Sequence, residues 1–190
     1  MKDSQSEART LIGIARLAIA KQLDIAIDEP AITGKLWLDK PAATFVTLTI
    51  NGQLRGCIGT LEAHRSLIED VTANAKAAAF EDPRFPPLTP DDFFSVKVEV
   101  SVLTELEAMH AHSENIALSK LRRGIDGLVF KFGMYKATFL PQVWEQLPDA
   151  ADFLGHLKVK AGLSAEFWHP EVLLFKYQVK KYRETDLPTE

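Results

Sequence analysis

Residues 43–60 read ATFVTLTINGQLRGCIGT, and this stretch decides the fold. Ala43 to Ile50 is rich in β-branched residues, Asn51-Gly52 is a preferred two-residue hairpin turn, and Gln53 to Thr60 returns as a second strand. A tight turn pairs Ile50 with Gln53, Leu48 with Arg55, Val46 with Cys57 and Phe45 with Ile58. Side chains alternate along a strand. One face of the hairpin therefore carries Val46, Leu48, Arg55 and Cys57. The other carries Phe45, Thr47, Thr49, Leu54 and Ile58, with Gly56 opposite Thr47. Both faces are substantially apolar, which predicts a central pair of strands covered on both sides.

Outward from the hairpin, Ser66 and Glu69 stand three apart like a capping box and open a helix through Leu67, Val71, Ala75, Ala78 and Ala79. That helix must stop near Phe80, because Pro83, Pro86, Pro87 and Pro90 follow. Ser95 to Leu103 (SVKVEVSVL) is a period-two strand. Upstream, Ser4 and Glu7 suggest another capping box, ahead of an amphipathic helix with Leu11, Ile12, Ala15, Ala18 and Ile19 on one face. After Thr104 the elements shorten. A helix is expected around Ser113 to Leu121, strands at Leu128 to Phe132 and Tyr135 to Leu140, a short helix after Pro141, and a helix from Asp149 to Ala161 capped by Gly162. Val172 to Tyr182 returns to strand character and is expected to rejoin the first sheet. The pattern thus gives an α+β protein with a large lobe, 1–103 plus 164–190, and an inserted lobe, 104–163.

The chain has 190 residues, of which 46% are apolar and 25% charged, so it can bury a core without disulfide or metal staples. Its 22 basic and 26 acidic side chains leave a net charge of −4, which argues against a nucleic-acid binder. Cys57 is the only cysteine, so an intramolecular disulfide and a multi-cysteine zinc site are excluded. The first 23 residues match neither a secretory signal nor a membrane span. The expectation is a cytoplasmic protein with no membrane partner.

Few residues point to chemistry. Two glycines inside the Leu54 to Gly59 strand mark a bulge or a close approach of ligand or backbone, which makes Gly56 and Gly59 candidate binding positions. Arg55 and Cys57 should share a face, and a guanidinium near a thiol favours the thiolate. Cys57 is then a candidate nucleophile with Arg55 as its partner; the competing reading is a small buried hydrophobe. Asp82 and Arg84, in Glu81 to Leu88 (EDPRFPPL), either fix their proline-dense loop as an ion pair or present a charged fork to a ligand. His110 and His112 could supply two metal ligands, but spacing places no third, so no metal is assigned. His64 follows the Cys57 strand and could reach the thiol as a base. Lys176, Lys180, Lys181 and Arg183 suit a protected edge strand. No phosphate-binding loop, dinucleotide fingerprint or hydrolase elbow occurs, and no cofactor is implied.

FVTL (Phe45 to Leu48), LRGCIG (Leu54 to Gly59), DPRFPPL (Asp82 to Leu88), VSVL (Val100 to Leu103), LPQVW (Leu140 to Trp144) and KAGL (Lys160 to Leu163) occur in this order. Together they resemble the AMMECR domain family, which includes the protein A component of the AmmeMemoRadiSam system. The resemblance implies two subdomains, the larger built from both chain ends around an antiparallel sheet. It also implies a cleft between them lined by the LRGCIG strand. A Memo-like protein and a radical S-adenosylmethionine protein are the partners the system name implies. Two functions then compete: a binding module that takes a peptide, protein or small anionic ligand in the cleft, and an enzyme or enzyme component using Cys57 with Arg55.

Overall fold

A computed structural model describes residues 2–187. In chain order the elements are α1 (Lys2–Gln22), β1 (Thr44–Ile50), β2 (Gln53–Gly59), α2 (Leu67–Phe80), α3 (Pro90–Ser95), β3 (Lys97–Leu103) and β4 (Glu107–Ala108). There follow α4 (Glu114–Lys120), β5 (Gly127–Phe132), β6 (Tyr135–Phe139), α5 (Ala150–Lys160), β7 (Leu173–Tyr177) and β8 (Val179–Arg183). The chain divides into two compact units: residues up to Leu103 with those from Lys180 onward, and Thr104–Val179.

The first unit is built on a sheet of order β2-β1-β3-β8. Asn51 and Gly52 turn the hairpin with φ of +52° and +77°, the left-handed pair that matches the twist of the flanking strands. The tight register holds for Ile50 with Gln53 and Thr49 with Leu54 and then breaks. A bulge between Leu48 and Thr49 gives β2 one extra residue, Arg55, so Leu48 faces Gly56, Thr47 faces Cys57, and Val46 faces Ile58. The expected pairs Leu48–Arg55, Val46–Cys57 and Phe45–Ile58 are therefore absent.

Helices α1 and α2 pack on each other and on this sheet, burying Val46, Leu48, Val98 and Val100 completely or nearly so. Phe45, Thr47 and Thr49, on the opposite side, are only half-buried, so burial is one-sided where two-sided burial was expected. The Ser66–Glu69 box is present: the Glu69 carboxylate accepts from the Ser66 N–H at 3.0 Å and hydroxyl at 2.6 Å. No box forms at Ser4, because α1 already runs from Lys2; Glu7 instead accepts from Lys180 and Tyr182. The proline-dense stretch also hides a helix the sequence reading passed over. In α3, Thr89 caps, Pro90 stands in the first turn and Asp92 completes the box.

The second unit has its own sheet, order β4-β7-β5-β6, with antiparallel pairing throughout. Its core centres on Leu128, Phe130, Phe153, Leu154 and Leu157, with Trp144 stacked on Phe153 at 3.9 Å. Lys158 is fully buried and bonds Glu114 at 2.7 Å, tying α5 to α4. The stretch Val172 to Tyr182 is not one strand. β7 pairs with β5 and β4 in this sheet, and after Gln178 the chain joins β3 of the first sheet as β8. The unit boundary accordingly falls after Val179 and not after 163.

Candidate functional site

The six candidate residues all belong to the first unit, around β2, which is an edge of its sheet. An edge strand leaves every second N–H and C=O unpaired. At Cys57 two side chains fill that role. Asp82 accepts the Cys57 N–H at 2.9 Å, and Arg84 donates from Nη2 to the Cys57 carbonyl at 3.3 Å. The loop after α2 thus imitates a neighbouring strand with a carboxylate and a guanidinium.

The imitation is rigid because the two groups hold each other. Arg84 Nε donates to Asp82 Oδ1 at 2.9 Å and Nη2 to Oδ2 at 2.7 Å, and the Arg84 backbone N–H adds a third bond. These donors, the Arg84 guanidinium first, hold the Asp82 carboxyl well below the usual carboxylate range although it is almost wholly buried. Arg84 is raised in turn, chiefly by its bond to Asp82, with a smaller electrostatic contribution from Cys57. The Arg84 side chain remains 54% exposed and lies over the Phe85 ring.

Arg55 is placed differently from expectation. It is the bulge residue, and its side chain, 14% exposed, reaches Asp92 at 3.3 Å and the Pro87 carbonyl at 3.3 Å. It therefore bridges β2 to α3. The guanidinium bound at Cys57 belongs to Arg84. The half-buried Cys57 sulfur accepts a hydrogen bond from the Thr47 hydroxyl at 3.3 Å. Thr47 was missed because only the bulge brings it opposite Cys57.

Both glycines are explained by packing within the unit. A Cβ on Gly56 would stand 2.0 Å from the Ala78 carbonyl oxygen of α2, and one on Gly59 would stand 2.3 Å from the Phe45 ring. Close approach is real, but the approaching groups are the protein's own. Below the ends of β1 and β2, buried Asp70 accepts from Thr44, Thr60, Arg65 and Asn74, which pins both strands to α2.

The remaining candidates stand elsewhere. His64 faces the Glu62 carbonyl at 2.9 Å. His110 and His112 line a pocket of the second unit with Leu173 and Phe175. Among the described residues no group of three or more His, Cys, Asp or Glu could hold a metal ion. Lys176 pairs with Glu107, Lys180 with Glu7, and Lys181 and Arg183 with Glu99, so the basic tail is matched by acids. No described helix is long and apolar enough to cross a membrane.

These features define an α+β protein with two antiparallel sheets, in which a Cys-bearing edge strand is capped by an aspartate–arginine fork. The AMMECR1 family model matches residues 12–182, and the chain belongs to the AMMECR1 family. It is 38% identical over 189 residues to a protein of Methanothermobacter thermautotrophicus, covering 95% of this chain and 96% of that one. A Methanosarcina acetivorans protein is 35% identical over 195 residues, covering 96% and 95%. The crystal structure of an uncharacterised protein from Pyrococcus horikoshii superposes with a TM-score of 0.75 at 32% identity, covering 96% of this chain and 93% of that one.

Proposed function

We propose that the chain is a binding module whose recognition surface is the capped edge of β2. Its ligand group is a carboxylate or phosphate, carried by a partner protein or a small molecule. The observation that carries this reading is Arg84, half-exposed yet held at Nε and Nη2 by Asp82 and Cys57. No hydrogen bond among the described residues engages its Nη1. A guanidinium fixed in advance loses little freedom on binding, and its planar donors match carboxylates and phosphates. In this reading Arg55 and Asp92 position the surface, while Cys57 forms its wall. A Memo-like protein and a radical S-adenosylmethionine protein are the first partners to test. Calorimetric titration with each, and with a small tricarboxylate, should give saturable binding that Arg84→Gln weakens about tenfold. Binding that Arg84→Gln leaves unchanged refutes the reading.

The alternative, an enzyme or enzyme component using Cys57, is favoured by the Thr47 hydroxyl on the sulfur of a residue that is only partly buried. The rate of Cys57 alkylation against pH separates the two. Alkylation at pH 7 faster than that of a free cysteine peptide, with function lost in a folded Cys57→Ala variant, puts the enzyme first.

A further inference from the structure

We propose that the first unit carries a second, independent site: an apolar pocket that takes a medium-chain carboxylate. Helices α1 and α2 and the segment from Glu29 line an open pocket of about 290 Å³. Its walls are Ile14, Leu17 and Ala18 of α1 and Ile68 of α2, and its roof is Pro30 and Ile32. The roof is seated by a missing side chain. A Cβ on Gly13 would stand 2.8 Å from the Pro30 Cβ, so the segment settles on α1 at that height because position 13 is glycine.

Thr72 of α2 and three charged side chains, Lys21, Glu29 and Lys76, complete the lining. Lys21 and Glu29 pair with each other at 3.3 Å and cancel. Lys76 is half-buried, and its ammonium has no hydrogen bond or ion pair among the described residues. An ammonium without a counterion beside an apolar wall suits an anion that brings its own apolar body. One uncompensated positive charge matches a monoanion, which favours a carboxylate over a phosphate dianion. The volume is at the lower end of ligand pockets and suits a single chain of roughly eight carbons.

The test is an NMR titration of the ¹⁵N-labelled full chain with octanoate, hexanoate and octanol. Octanoate should give saturable shifts at Leu17, Ala18, Ile68 and Thr72. It should bind roughly fifteenfold tighter than hexanoate, because each of its two further buried methylenes is worth roughly fourfold. Octanol should bind about tenfold more weakly than octanoate, and Lys76→Gln should remove that difference. Thr72→Phe, which fills the cavity, should abolish saturation while the spectrum stays folded; should it not fold, Lys76→Gln still decides the matter. The proposal is overturned by no saturable shift up to the solubility of octanoate, by equal affinity for octanol, or by indifference to Lys76→Gln. It is equally overturned by a concentration-dependent self-association that covers these residues, since that would make the face a contact between copies. None of these outcomes bears on Arg84, so this site and the capped edge stand or fall separately.

Discussion

Asp82 does two things at once: it terminates the hydrogen bonding of an edge strand and fixes the orientation of an arginine. Both depend on its charge. A carboxylate whose pKa is depressed by folding contributes stability that is fully present above its unfolded value, near 4, and is lost as pH falls towards the folded value. Asp82 is such a group, with Arg84 as the first cause. Asp82→Asn should therefore cost about 2 kcal/mol at pH 7, from lost charge-assisted hydrogen bonds. The gap between the two proteins should narrow as pH drops from about 5 to 2, because only the wild type has this carboxylate to protonate. Urea unfolding at a series of pH values measures this. A gap that stays constant over that range would show that Arg84 does not hold the charged form.

At the scale of elements, the decisive contact is β2 on α2. The extra residue in the bulge turns Gly56 towards the helix, where the Ala78 carbonyl lies closer than any side chain allows. The obstacle is backbone and cannot rotate away. Gly56→Ala should destabilise the protein by about 2–3 kcal/mol, in the range of overpacked cores, read as a lowered urea midpoint with an unchanged slope. Gly52→Ala, strained only by its φ of +77° with open space around it, should cost about 1 kcal/mol. Equal effects at the two positions would mean that α2 yields to β2, contrary to the tight seat seen here. The same contact explains the small residues of α2: Ala75, Ala78 and Ala79 are buried, so the helix lies close to the strands.

On the scale of the whole molecule, the first unit is closed by distant parts of the chain. Arg16 of α1 bonds both oxygens of Glu184, at 2.6 and 2.8 Å, and donates to the Phe93 and Val96 carbonyls around α3. Glu184 also accepts the Val98 N–H at 3.0 Å. Glu184, after β8, thus gathers α1 and β3 directly and the carbonyls around α3 through the Arg16 it holds. Glu184→Gln should cost about 2 kcal/mol, because two charge-assisted bonds are weakened together. Amide exchange should rise at β1, β3 and α1 while β5 and β6, with a sheet and core of their own, keep their protection. An equal rise in both sets would show that the two units open as one.

Much of this architecture is legible in the sequence. Asn51-Gly52, the alternating valines before Leu103, the Ser66–Glu69 box, the proline stop after Phe80 and Gly162 after α5 all act within a few residues. Local chemistry is enough to fix such elements. The resemblance carried by LRGCIG and DPRFPPL pointed to the family that the matched model now shows. What the sequence could not supply were choices made across long stretches of chain. The bulge at Arg55 shifts the pairing by one residue, and that shift sends Arg55 to Asp92, brings Thr47 to Cys57 and turns Gly56 onto α2. The split of Val172 to Tyr182 between two sheets is of the same kind, since β7 and β8 have similar composition but different partners. Strand propensity makes a strand and leaves its neighbour open. The neighbour and register are fixed by packing and hydrogen bonds between residues far apart in sequence, and these exist only once the chain has folded.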